Sequence, residues 1–206
     1  MAGESSRCRP RLVLATFNPD KARELTALLG DLPFEAVGLS VIPGATLPPE
    51  GEESYRANAL TKARIAVRAS GAFALADDSG IEVDALGGGP GVRSARYGGP
   101  DLSDAGRCAR LLAELKGVPS QRRTARFRCV VALASPGGRE EVVEGVAEGL
   151  IADAPRGGGG FGYDPVFFYP PLDRTFAELE PAVKNRVSHR ARAIAAAREV
   201  LERWVA

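Results

Sequence analysis

Histidine, methionine and tryptophan occur once each in this chain of 206 residues, and cysteine three times. Cys8, Cys108 and Cys129 are widely spaced and odd in number, with no CxxC or Cys/His cluster beside them. That pattern excludes a disulfide framework and a zinc site, and predicts free thiols in a reducing, cytoplasmic compartment. Charge of one sign is missing as well: 27 basic and 26 acidic residues leave a formal net charge of +1. A protein that coats DNA or RNA needs a net basic face to exploit counterion release, so no nucleic-acid partner is expected. Long hydrophobic runs are lacking. The stretch from Leu12 to Ala15 is too short for a signal-peptide core or a membrane span, so no membrane partner is expected either. Absent too are the phosphate loop GxxxxGK[ST], a GxGxxG opening a helix, and a GxSxG elbow for the single histidine to serve.

What is present describes a folded globule: 45% hydrophobic and 26% charged residues. The length suits one large domain or two closely joined lobes. A polar leader over residues 1–10 precedes a folded region over 11–206. Residues 12–16 read as a short buried strand, and Asn18-Pro19 as a helix start, since Asn caps well and Pro suits the first turn. Leu25, Leu28 and Leu29 form its apolar stripe and Gly30 its stop. A second helix covers 54–70, with Glu50, Glu52 and Glu53 placed to cap it. A short strand over 73–76 ends in the acidic turn Asp77-Asp78-Ser79-Gly80. A helix follows over 103–115. Residues 124–134 and 140–151 alternate as a hairpin around Ser135-Pro136-Gly137-Gly138, with Phe127, Cys129, Val131 and Leu133 on one face. A short strand at 166–168 and a helix over 188–205 close the chain. Helices mixed with a hairpin give an α/β or α+β fold with mixed strand directions.

Several constellations suit phosphate chemistry. Thr16 to Lys21 joins a strand to a helix N-terminus, where free N–H groups and the helix dipole attract anions, although capping alone explains Asn18 and Pro19. Residues 77–84 carry four acids and no base. Neighbouring carboxylates repel unless something positive sits by them, and Mg²⁺ is a natural partner that bridges carboxylates to phosphates; a solvated acidic turn is the competing reading. The four glycines at 157–160 precede Phe161 and Tyr163, whose rings offer stacking faces for a nucleobase. Lys184, Arg186, His189, Arg190 and Arg192 crowd a helix start, which is unfavourable unless an anion binds there.

Six pieces then fall into a familiar order: Thr16-x-Asn18-x-x-Lys21; Asn58-Ala59-x-x-Lys62-Ala63; residues 76–83 around Asp77-Asp78-Ser79-Gly80; residues 88–97 around Pro90-Gly91; Gly158-x-Gly160-Phe161-Gly162-Tyr163-Asp164-Pro165; and Lys184-Asn185-x-x-Ser188-His189-Arg190. From about residue 12 to 204 the chain resembles the inosine triphosphate pyrophosphatase family, the Ham1-like enzymes. The resemblance implies a two-lobed fold, a long curved mixed sheet and a nucleotide cleft between the lobes. It implies a homodimer, Mg²⁺, and hydrolysis of ITP, dITP and XTP at the α-phosphorus to monophosphate and pyrophosphate. By motif, Asp78 is the general base and lies at the metal. Thr16, Phe17, Asn18, Pro19, Asp20 and Lys21 line the triphosphate, and Ser79 contacts substrate. Phe161, Gly162, Tyr163, Asp164, Lys184, His189 and Arg190 surround the nucleoside. The family often has Glu where Ala57 stands, so Glu50 is taken as the second metal ligand. Phe17 is bulkier than the residue often found there and is expected to narrow the pocket. Val183 replaces a common Glu. A regulator that binds nucleotides without catalysis, and a relative acting on other nucleotides, are the alternatives.

Overall fold

The computed structural model describes residues 9–206. Residues 1–8, with Cys8 and most of the expected leader, lie outside the described residues. The chain enters at β1 (Arg11–Leu14) and turns into α1 (Pro19–Leu29). Asn18 caps this helix by accepting from the Asp20 and Lys21 N–H groups, and Gly30 ends it with a positive φ of 55°. β2 (Glu35–Gly38) follows. It escapes the sequence pattern because it is four residues long and nowhere fully buried. α2 (Tyr55–Ser70) is capped by the Ser54 hydroxyl, which accepts from the Ala57 N–H. The expected glutamate caps are corrected here: Glu50 is drawn to Lys62 and Glu52 to Arg93.

A second correction concerns the acidic turn. β3 runs unbroken over Phe73–Val83, so Asp77 and Asp78 sit in mid-strand. Antiparallel pairing with β4 (Thr124–Ala134) holds them extended, Asp77 opposite Val131 and Asp78 opposite Val130. Turn-forming residues yield here to a neighbouring strand of equal length. α3 (Asp104–Glu114) lies between these strands in sequence. β4 and β5 (Glu140–Ile151) form the expected hairpin, and short strands β6 (Phe167–Tyr169) and β7 (Arg174–Thr175) extend it. α4 (Pro181–Val187), a two-turn helix within the basic run, was not signalled by any apolar period. Ser188 caps α5 (His189–Val205).

The seven strands form one mixed sheet in the order β2-β1-β3-β4-β5-β6-β7, parallel at β2-β1-β3 and antiparallel beyond. Its core divides into three clusters. On one face, Leu12, Leu75, Cys129, Val131 and Leu133 pack with Leu25 of α1 and Ile194, Ala197 and Leu201 of α5. On the other, Val13, Ala74, Ala76, Val130 and Ala132 pack on the alanine stripe Ala59, Ala63 and Ala66 of α2. The small stripe lets α2 lie close to the sheet. Further along the same strands, Ile81, Val83 and Phe127 join Leu111 of α3, Phe167 and Phe176 in the third cluster. β4 therefore buries both faces over much of its length, which its alternating pattern did not disclose. Among the described residues no helix is long and apolar enough to cross a membrane.

Candidate active site

A strand sends successive side chains to opposite faces. Asp77 and Ser79 accordingly turn toward α1 and α5, and Asp78 toward α2. The two carboxylates do not share one counter-ion, as their adjacency in sequence suggested. Each has its own cations across the sheet.

Asp77 is buried and pairs with Lys21 Nζ at 3.1 Å and Arg190 Nε at 3.4 Å. Arg190 also donates to the Ser79 hydroxyl at 3.1 Å and to Glu24 of α1. Glu24 takes Lys184 at 2.8 Å, and Lys184 takes Asp164 at 2.6 Å. Three cations and three carboxylates thus alternate in one buried chain. Burial opposes ionisation of Asp77, yet Lys21 and Arg190 outweigh it and hold the carboxyl below its ordinary value. Glu24 is lowered on the same grounds by Arg190 and Lys184. At Asp164, burial wins and raises the carboxyl despite Lys184. The crowding of Lys184 and Arg190 near the start of α5 is therefore answered by the chain's own carboxylates. Arg186 remains exposed.

On the opposite face Asp78 accepts from Asn58 Nδ2 at 2.8 Å and lies 3.6 Å from Lys62 Nζ. Lys62 reaches Glu50 at 2.8 Å. Asn58 also clamps Gly51, accepting from its N–H at 2.8 Å and donating to its carbonyl at 3.1 Å, which fixes the loop that carries Glu50. Asn58 and Lys62 are four residues apart on α2, one helical turn, so they share a face. That spacing was the signal for two site residues to which the sequence reading gave no role. Burial pushes the Asp78 carboxyl up to about 6, with Glu50 adding to the rise and Lys62 opposing it. Burial also opposes the Glu50 charge, but Lys62 prevails and lowers it.

A cavity of about 280 Å³ opens where these elements meet. Asn18 and Lys21 of α1 and Ser79 and Gly80 of β3 line it, with the loop over 161–164, Lys184, His189 and Arg190. Of the residues expected at the triphosphate, Thr16, Phe17, Pro19 and Asp20 stand outside this lining. Phe17 is 53% exposed, so it does not narrow the cavity as expected. The Thr16 hydroxyl accepts from the Asn18 N–H, and Asp20 pairs with Arg23. Asp78 and Glu50 stand behind the strand rather than in this cavity. Glu50, Asn58 and Lys62 line a second hollow of about 290 Å³. Ser94, Asp104, Arg107 and Phe127 also line the first cavity and were given no site role in sequence.

His189 stacks on Phe127, ring centres 4.5 Å apart and planes within 9°. Burial, then Arg190 and Lys184, drive its pKa far down, so it is a neutral imidazole. Its buried Nδ1 has no partner among the described residues. Phe161 receives Lys184 and Arg190 over its ring at 5.0 and 5.5 Å. Tyr163 is buried and donates its hydroxyl to the Ser94 carbonyl, so its polar end is engaged by protein. Gly160, at φ 68°, has to be glycine because a Cβ there would fall 2.0 Å from Asp164 Oδ2. The turn it permits lets Asp164 accept from the Phe161 N–H at 2.9 Å.

This arrangement brings together cations paired with buried carboxylates, a buried carboxylate with raised pKa, and a cavity lined by a neutral imidazole and by aromatic rings. The model of the Ham1 family matches residues 12–200. The chain belongs to the Ham1 family. A dITP/XTP pyrophosphatase of Desulforamulus reducens is 48% identical over 193 residues, covering 94% of this chain and 96% of that relative. One of Geobacter sulfurreducens is 51% identical, covering 90% and 93%. The solved structure of a HAM1 protein from Coxiella burnetii superposes with a TM-score of 0.85 at 39% identity, covering 94% of this chain and 99% of that one. The mixed α/β fold is thus the Ham1 fold, as the sequence motifs implied.

Proposed function

We infer that this protein is a nucleoside triphosphate pyrophosphatase acting on noncanonical purine nucleotides, ITP, dITP and XTP. Water attacks the α-phosphorus, the bond to the β-phosphate oxygen breaks, and the nucleoside monophosphate and pyrophosphate leave. The observation that carries this reading is that β3 sets a buried carboxylate of raised pKa, Asp78, on one face and, through Ser79 and Gly80, lines on the other a cavity that begins at Lys21 and the N-terminus of α1. Asp78 serves as general base, taking a proton from the attacking water; a base with a pKa near working pH combines ionisation with proton affinity. Asn58 holds one Asp78 oxygen and leaves the other beside Lys62. Lys21 neutralises phosphate charge in exchange for part of its pairing with Asp77. Neutral His189 selects the base through its imidazole. Phe161 covers the ring.

Mg²⁺ fits the donor set. Asp78 and Glu50 both approach Lys62 Nζ, at 3.6 and 2.8 Å, and carboxylate oxygens brought together around a cation suit a hard metal ion. Among the described residues no cluster of three or more His, Cys, Asp or Glu forms, so Asp78 and Glu50 are the residues that would hold the ion. When bound, the ion would neutralise the phosphates and polarise the phosphorus. The site works in a homodimer in the cytoplasm, a reading supported by the family likeness and by the buried free thiols of Cys108 and Cys129. No nucleic acid or membrane takes part. The test is incubation with ITP and Mg²⁺: IMP and pyrophosphate are expected, and IDP with orthophosphate would refute the reaction.

A further inference from the structure

Arg107 lies in none of the six sequence pieces singled out above, yet it lines the cavity. It sits in the first turns of α3, and its side chain is 11% exposed. Its Nη1 donates to Asp104 Oδ1 at 3.2 Å. The other Asp104 oxygen accepts from the Gly162 N–H at 2.8 Å, so this pair is tied to the loop between Phe161 and Tyr163. The Arg107 Nε is buried and has no partner among the described residues. A buried guanidinium N–H without an acceptor costs free energy that a bound acceptor recovers. The group always donates and never accepts.

Phosphate is the less suitable acceptor. Asp104 stands beside Arg107 and repels an anion, and Lys21, paired with Asp77, with the α1 N-terminus already offers a phosphate end elsewhere in the cavity. A neutral keto oxygen meets no such repulsion. Adenine presents an amino group where hypoxanthine and xanthine present that oxygen, so against Arg107 donor would face donor. Mismatched donors in a buried site discriminate strongly because both are left unpaired.

Taking the cavity as the nucleotide site inferred above, we propose that Arg107 is a specificity-determining residue. Its guanidinium donates to a keto oxygen on the edge of the base and so selects keto purines over amino purines. Asp104 holds the fork in place and pins it to the loop that covers the base.

The experiment measures binding of IMP, XMP and AMP to wild type, R107M and R107K by titration calorimetry, with thermal unfolding as a control for folding. R107M keeps the long stem without its donors. It is expected to weaken IMP and XMP by about tenfold to a hundredfold, the scale of a charged hydrogen bond, while AMP changes little. R107K, which retains charge and donors, falls between. An unchanged IMP affinity in R107M overturns the proposal, as does equal weakening of all three nucleotides, which would mark a phosphate or purely structural role. Should R107M fail to fold, R107K and R107Q carry the same comparison. Pyrophosphate release from ITP by the wild type is scored separately. Its absence would refute the catalytic reading, whereas the IMP-to-AMP ratio still decides the role of Arg107.

Discussion

Two adjacent aspartates in this protein have opposite electrostatic fates, and strand alternation is the cause. Asp78 faces α2 with one full cation and a nearby acid, so burial dominates and its carboxyl rises to about 6. Replacing it by Asn preserves shape and removes the proposed base. Asp78→Asn is expected to lower kcat by about 10²–10⁴-fold, the usual worth of general-base catalysis, while IMP still binds. Retention of wild-type turnover in a pyrophosphate-release assay would remove Asp78 from that role. Asp77 faces Lys21 and Arg190, which depress its carboxyl below the ordinary 3.8. A depressed carboxyl stabilises the fold above the unfolded value, and that stability disappears as pH falls through the folded value. Asp77→Asn leaves two buried cations short of a partner and should cost about 3–5 kcal/mol at pH 7 by urea unfolding. The difference from wild type should shrink as pH drops below about 3.8, where the wild-type carboxylate begins to lose its advantage. A constant difference from pH 7 to pH 2 would contradict the assignment.

At the scale of elements, the site depends on a strand and a turn pressed together. Gly80 of β3 lies against the 3-10 segment Gly91–Arg96: a Cβ there would come within 2.3 Å of the Gly91 carbonyl and 2.6 Å of the Ser94 hydroxyl. Ser94 Oγ in turn accepts from the Ile81 N–H at 2.9 Å and donates to Gly91 O at 2.6 Å, so the contact is a bonded one. Gly80→Ala must displace backbone. Its expected cost is about 1–3 kcal/mol, the range for overpacking. Because Gly80 and Ser94 both line the cavity, KM for ITP should rise in parallel. A variant with wild-type stability and KM would show that the turn is freer than this packing allows. Elements whose pattern is long and repetitive were legible beforehand: the β4–β5 hairpin, α1 with its cap, α2 and α5. The four-residue β2 and the two-turn α4 were not. Too few residues carry the periodicity, and pairing with β1 or packing beside α5 decides them.

The whole molecule separates its scaffold from its chemistry. Glu50 and Asp78, the proposed Mg²⁺ ligands, already have protein partners in Lys62 and Asn58, so their charges are answered without an ion. Removing Mg²⁺ with a chelator is therefore expected to abolish pyrophosphate release and leave the far-ultraviolet circular dichroism unchanged. Added Mg²⁺ should restore turnover. A collapse of helical signal on chelation would assign the ion a structural role instead. The near-zero net charge conceals this organisation, because acidic and basic excesses meet inside the protein. Lys21, Asp77, Arg190, Glu24, Lys184 and Asp164 neutralise one another where solvent scarcely reaches.

By itself the sequence determined the family, the mixed fold class and many of the residues that line the cavity. Those properties reside in local order: motif spacing, caps and hydropathy periods within single elements. Tertiary structure decided the pairing of charges. Glu24 and Lys184 are 160 positions apart, yet Lys184 Nζ donates to the Glu24 carboxylate at 2.8 Å. No spacing rule reaches across such a distance. The division of Asp77 from Asp78 likewise required β4, whose pairing carries β3 straight through residues that favour a turn. Arg107 lay unremarked for the same reason. Only the tertiary structure sets this arginine beside the loop at Gly162, through Asp104, and buries its Nε without a partner among the described residues.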